Sequence, residues 1–173
     1  TSVAAGASAM TRQFLREEMN ISEPRSDLIK AILINGAMDL GDSNIPNPME
    51  GWGQINVSQS LYPKYNNQNS NVHIDYSRSL LPGHSFVYTF DVTEDSMLDA
   101  TLVWNDKEGS ATGNQTHARL VNDLDLKITS PSGLVYNGNN FISGLSISGD
   151  YTDTINNVER VKKPYNFFNI DCK

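Results

Sequence analysis

The hydrophobic period of this chain changes once, and that change limits what it can fold into. Near the start, Val3, Ala7, Met10 and Phe14 are separated by four, three and four positions, a spacing that gathers them on one face of a helix. Arg12, Arg16, Glu17 and Glu18 supply a wetter side. Alanines at 4, 5, 7 and 9 leave the early turns thin, and a thin helix can approach a neighbouring backbone closely. The stretch EPRSDLIKAILINGA predicts a second helix, with Ser26 as its N-cap and Gly36 at its end. Leu28, Ile29, Ala31, Ile32, Leu33 and Ile34 make that helix apolar on nearly all sides, so it requires partners on more than one face.

After the punctuated loop GDSNIPNPMEGWGQI, the polar stretch YPKYNNQNSN at residues 62–71 reads as a soft boundary. Beyond it the period is two. Phe86, Tyr88, Phe90 and Val92 alternate to one face, as do Leu98, Ala100, Leu102 and Trp104. Leu124, Leu126 and Ile128 alternate against Asp123, Asp125 and Lys127, and SPSG at 130–133 is a hairpin turn feeding LVY. Short strands with turn signals predict an antiparallel sandwich, with Tyr88, Phe90 and Trp104 in its core. A helical opening followed by strands predicts two domains, residues 1–62 and residues 72–173, the first unable to complete a core by itself.

Composition removes several functions. The 173 residues hold 13 Lys and Arg against 20 Asp and Glu, a formal charge of -7, which argues against nucleic acid or an anionic membrane as partner. No apolar run approaches the roughly 20 residues that cross a bilayer. The first residues have neither a basic region nor a long apolar core, so they do not read as a signal peptide; the opening reads as internal. Cys172 is the single cysteine, so no internal disulfide can form. Asn20-Ile-Ser, Asn56-Val-Ser and Asn114-Gln-Thr are acceptor patterns for N-glycosylation, which permits a secreted location. His73, His84 and His117 all fall in or near the strand-rich part and read as surface or strand residues.

Ser2, in TSVAAGASAM, has two readings. A hydroxyl at a helix start ordinarily satisfies an open N–H group of the first turn. A nucleophilic serine there would gain from the same donors and from the helix dipole, but it needs a base, and the base needs an orienting group.

TSVAAGASAMTRQFL resembles the nucleophile segment of subtilisin-like serine proteases, Gly-Thr-Ser-Met-Ala-x-Pro followed by a helix. Ser2 falls on the catalytic serine, while Val3, Gly6 and Met10 depart from the pattern. SDLIKAILINGAMDLG resembles the next helix of that fold, and GWGQINVSQSL resembles the segment that closes its catalytic domain. The segments LDATLVWND, LVNDLDLKITSPSGLVYNGNNF and NNVERV resemble the C-terminal β-barrel or jelly-roll domain of the oxidatively stable alkaline subgroup.

The resemblance implies an α/β subtilisin-like catalytic domain, present as its mainly helical C-terminal part, followed by an all-β jelly-roll or β-sandwich domain truncated at its C-terminus. It also implies a secreted, secretory or endolysosomal endopeptidase acting on polypeptides through a Ser-His-Asp triad, with Ser2 as nucleophile. The histidine, the aspartate and the oxyanion-hole asparagine would lie in a missing N-terminal part, so this chain alone is expected to be inert. Calcium is the implied metal, structural and not needed for the chemistry. Mixed carboxylate and amide oxygens suit that ion, and Asp123 and Asp125, then Asp106, are its expected ligands; the residue-level alternative is solvated strand ends and Asx turns. The alternative function is a non-catalytic β-sandwich module binding polysaccharide or protein. Substrate preference is not readable from these residues.

Overall fold

A computed structural model of the chain describes residues 2–41, 45–92, 96–109 and 120–164. Thr1, Asn114, His117 and Cys172 lie outside the described residues.

The first helix, α1 (Ser2–Glu17), forms where expected, but its buried stripe is Ala7, Thr11 and Leu15. Val3 and Met10, expected on the inner face, are 76% and 56% exposed. Only a narrow line of α1 is covered, by the second helix and by a short helix at Val57–Leu61, so the stripe follows the i, i+4, i+8 row that meets them. The second helix, α2 (Ser26–Asn35), begins after Arg25, whose extended backbone occupies the N-cap position without a side-chain cap. Ser26 is thus the first helical residue, and Asp27 accepts from the Leu28 N–H at 2.9 Å. Gly36 ends α2, its N–H donating to the Ile32 carbonyl at 3.1 Å. Leu15, Ile21 and Leu28 form one small core, with Ile29, Ile32 and Ile74 against it.

The short helix α3 (Val57–Leu61) is capped by Asn56, whose side chain accepts from the Gln59 N–H at 3.0 Å. Its approach to α2 is tight: a Cβ on Gly36 would stand 2.4 Å from the Ser60 Cα. In the GWGQI segment, Gly53 holds φ +102°, and a Cβ there would lie 2.3 Å from the Met38 carbonyl oxygen. Glycine is the residue that permits that conformation and that approach; Gln54 then exchanges N–H···O bonds with Met38.

Among the described residues four antiparallel pairs follow: β1 (Lys64–Tyr65) with β2 (Gln68–Asn69), β3 (Met97–Val103) with β8 (Val158–Pro164), β4 (Lys127–Thr129) with β5 (Val135–Asn137), and β6 (Phe141–Ile142) with β7 (Leu145–Ser146). Met97 stands opposite Pro164, and Val103 opposite Val158. The SPSG turn joins β4 to β5 as expected, with Gly133 at φ +83° and its N–H on the Ser130 carbonyl.

The expected catalytic remnant followed by a jelly roll is not the fold observed. Among the described residues every sheet has two strands and none closes, so no second sheet is available to face the first. The β3–β8 ribbon is instead covered by α2, giving a small mixed α/β body. Asn35 at the end of α2 donates to the Asp99 carbonyl at 3.1 Å and to Thr101 Oγ1 at 3.0 Å. Arg160 of β8 donates to the Asn35 carbonyl at 2.8 Å and to Asp99 Oδ2 at 2.7 Å.

The FVYTFDV stretch enters no strand. Tyr88 and Phe90 are 43% and 53% exposed, outside any core, whereas Trp104 is buried as expected. Alternation specifies two faces, but burial of one face requires a paired neighbour, and this stretch has none among the described residues.

Candidate functional site

Ser2 opens α1 and is exposed. Among the described residues no group hydrogen-bonds its hydroxyl. The helix behind it has no acidic residue in its first turn, so the positive end of the helix dipole is not offset locally. Ala4, Ala5 and Gly6 add little bulk around it. Further along α1, Ser8 joins Ile29, Leu33, Ile34, Trp52 and Ile55 in lining an apolar groove of about 430 Å³ that Ser2 does not line.

The described histidines do not reach Ser2. His73 lies against the rings of Tyr88 and Phe90, at centroid distances of 5.5 and 5.3 Å. Its neighbour Ile74 packs on the core of Leu15, Ile21 and Leu28, of which Leu15 is roughly 20 Å along the α1 axis from Ser2 at 1.5 Å per residue. His84 sits in an exposed turn, its N–H on the Leu81 carbonyl. Asp75 beside His73 is already engaged by the Tyr88 hydroxyl and by Arg78 Nε at 2.6 Å. The Tyr88 hydrogen bond, aided by Arg78, holds the Asp75 carboxyl below its usual range. Arg78 also lies 4.6 Å from the Phe86 ring centroid. These groups border an open cavity of about 510 Å³.

The three expected calcium ligands are put to different uses. Asp106 braces a loop: the Val121 and Asn122 N–H groups donate to it at 2.6 and 3.0 Å, and Asn122 Nδ2 at 2.8 Å. Desolvation works against its charge, but these donors outweigh it and hold the carboxyl below its ordinary value. Asp123 is pushed up by burial and by the fields of Asp125 and Asp153. Asp125 lies 3.5 Å from Lys127 Nζ. Among the described residues no three His, Cys, Asp or Glu side chains are grouped to hold a metal ion.

Two acidic residues that sequence reasoning did not single out occupy this region. Asp153 is 3% exposed and accepts from Asn139 Nδ2 at 2.6 Å and Asn156 Nδ2 at 2.8 Å. Burial raises its pKa, but those donors and the Ile155 and Asn156 N–H groups prevail and hold it low. Glu159 on β8 is 1% exposed and accepts from the Leu126 N–H at 2.6 Å. No cation pairs with it among the described residues. Burial first, then the fields of Asp125, Asp153 and Asp123, push it up to about 7. A Cβ on Gly138 would come 2.3 Å from Glu159 Oε2, so the Asn-Gly-Asn turn at 137–139 closes over the carboxyl. Nothing local in the sequence signalled this; only the β8 register brings Glu159 beneath the turn.

No family model matches the chain. It is 30% identical, over an alignment of 177 positions, to the serine protease/ABC transporter B family protein tagA of Dictyostelium discoideum. The chain is distantly similar to a protein named as a serine protease. The alignment takes in 92% of this chain, which spans 10% of the relative's length. None of the helices among the described residues is long and apolar enough to cross a membrane.

Proposed function

We propose that this chain forms part of a serine endopeptidase of the secretory or endolysosomal pathway, with Ser2 as the nucleophile and polypeptides as substrates. The observation that carries this reading is the position of Ser2, exposed at the first turn of a helix lined there by Ala and Gly. Similarity to a relative named as a serine protease supports it. In the reaction, Ser2 Oγ attacks the scissile carbonyl carbon while a base takes its proton. Negative charge develops on the carbonyl oxygen, where the positive end of α1 favours it. The C–N bond then breaks, the amine leaves with the proton returned by the base, and water hydrolyses the acyl ester. Neither His73, held against the Tyr88 and Phe90 rings, nor His84 is hydrogen-bonded to Ser2, so this reading takes the imidazole and its orienting carboxylate from residues other than the described ones. Calcium at Asp123 and Asp125 belongs to the same proposal as a stabilising ion, and no step of the hydrolysis depends on it.

The alternative, a non-catalytic module that binds polysaccharide or protein, draws support from the exposed rings of Phe86, Tyr88 and Phe90 beside His73. Fluorophosphonate labelling of the whole protein from its natural source separates the two. The protease reading expects label on the peptide carrying Ser2, and Ser2→Ala to lower peptide hydrolysis by at least about a thousandfold. Label absent from Ser2, or hydrolysis that persists in Ser2→Ala, rejects it and leaves the binding module.

A further inference from the structure

We infer that Asn20 is a glycan acceptor built into the end of α1, and that Asn56, with the same sequence pattern, is not. The two asparagines differ in what the fold has done with their amides. Asn20 is exposed in the turn after α1 at φ +56°, a left-handed conformation that asparagine tolerates at helix ends. The turn is pinned at the next residue, Ile21. The Ile21 N–H returns to the Leu15 carbonyl at 2.9 Å, and the Ile21 side chain is 6% exposed in the core with Leu15 and Leu28. With Ile21 inward, Asn20 and Ser22 on either side of it are both exposed, and neither side chain is hydrogen-bonded among the described residues. An acceptor asparagine and the hydroxyl two positions on are thus offered together on a fixed turn.

Asn56 is spent. Its Oδ1 caps α3 through the Gln59 N–H at 3.0 Å, its Nδ2 lies 3.0 Å from Met38 Sδ, and the residue is half-buried. A sugar on that nitrogen would displace Met38 and disturb the cap. At Asn20 no neighbour has to move. The transfer joins Asn20 Nδ2 to the anomeric carbon of a lipid-linked oligosaccharide. The bond from that carbon to the lipid diphosphate oxygen breaks with its electron pair on oxygen, and the amide proton passes to a base of the transferase. A glycan there stands at the opposite end of α1 from Ser2, roughly 24 Å along a helix of this length, so it leaves the exposed serine uncovered.

The biological use of this acceptor rests on the secretory reading above; its competence does not. The test therefore supplies entry: the full chain carrying an added signal peptide is expressed in a eukaryotic cell, and chain from lumen and medium is pooled. Peptides are mapped after removal of glycans by an amidase that leaves aspartate at each occupied site. The expected result is aspartate at position 20, asparagine at position 56, and loss of the position-20 glycan in both Asn20→Gln and Ser22→Ala. Ser22→Ala leaves Asn20 and its turn in place, so loss of the glycan there cannot come from misfolding of the helix end. An unmodified Asn20, or occupancy of Asn56 equal to that of Asn20, overturns the inference. Natural protein lacking the glycan while the directed chain carries it would overturn the secretory location alone.

Discussion

Glu159 is the residue whose chemistry the surroundings have changed most. Its folded pKa of about 7 stands above the ordinary value of 4.5, so the folded chain binds that proton more tightly than the unfolded chain. The stabilisation is fully present below pH 4.5 and is lost as pH rises through 7. A shift of that size corresponds to about 3 kcal/mol. Urea midpoints should therefore fall between pH 5 and pH 8, and Glu159→Gln should flatten that slope and raise the pH 8 midpoint. A wild-type midpoint independent of pH across this range would show that the carboxyl is not held protonated. If calcium occupies Asp123 and Asp125, excess calcium should offset their field and reduce the slope. None of this was legible in VERVKKP, where charged Glu159, Arg160 and Lys163 are all buried. Asp106 was singled out for its oxygens, yet those oxygens serve the Val121 and Asn122 N–H groups, a partnership between residues 15 or more apart that no local pattern encodes.

At the scale of elements, propensity and packing can be separated on α1. Gly6 lies inside the helix, is exposed, and has nothing within 4 Å of where a Cβ would stand. Gly6→Ala should therefore stabilise the chain by about 1 kcal/mol, the helix-propensity difference between the two residues. A rise in urea midpoint without change in slope would record it; destabilisation would mean that the start of α1 meets another surface. The helices α1 and α2 and the β4–β5 hairpin were all legible, because a period of 3.6 and a Pro-Ser-Gly turn are properties of adjacent residues. The buried face of α1 was not. Val3, Ala7, Met10 and Phe14 make a sound helical stripe, but the row that α2 and α3 reach is Ala7, Thr11 and Leu15.

For the whole molecule, the Arg160 guanidinium is the link between helices and strands. It is 2% exposed, bonded to Asp99 on β3 and to the Asn35 carbonyl of α2. Removing one partner of such a pair strands a buried charge, at a cost of about 3–5 kcal/mol, whereas replacing both by apolar residues costs much less. Asp99→Ala should thus be strongly destabilising and Asp99→Leu with Arg160→Met distinctly milder in denaturant unfolding. Equal losses would mean that the pair is solvated. What the sequence determined by itself was local: where helices and turns form, the serine at the head of α1, and the strand character of Met97–Val103. What the tertiary structure decided was which faces are covered, that α2 and not a second sheet lies on β3, and which carboxyls lose water. The physical reason is that periodicity is written in neighbouring residues, while desolvation and charge pairing depend on groups brought together from distant parts of the chain, as Asn35, Asp99 and Arg160 are here.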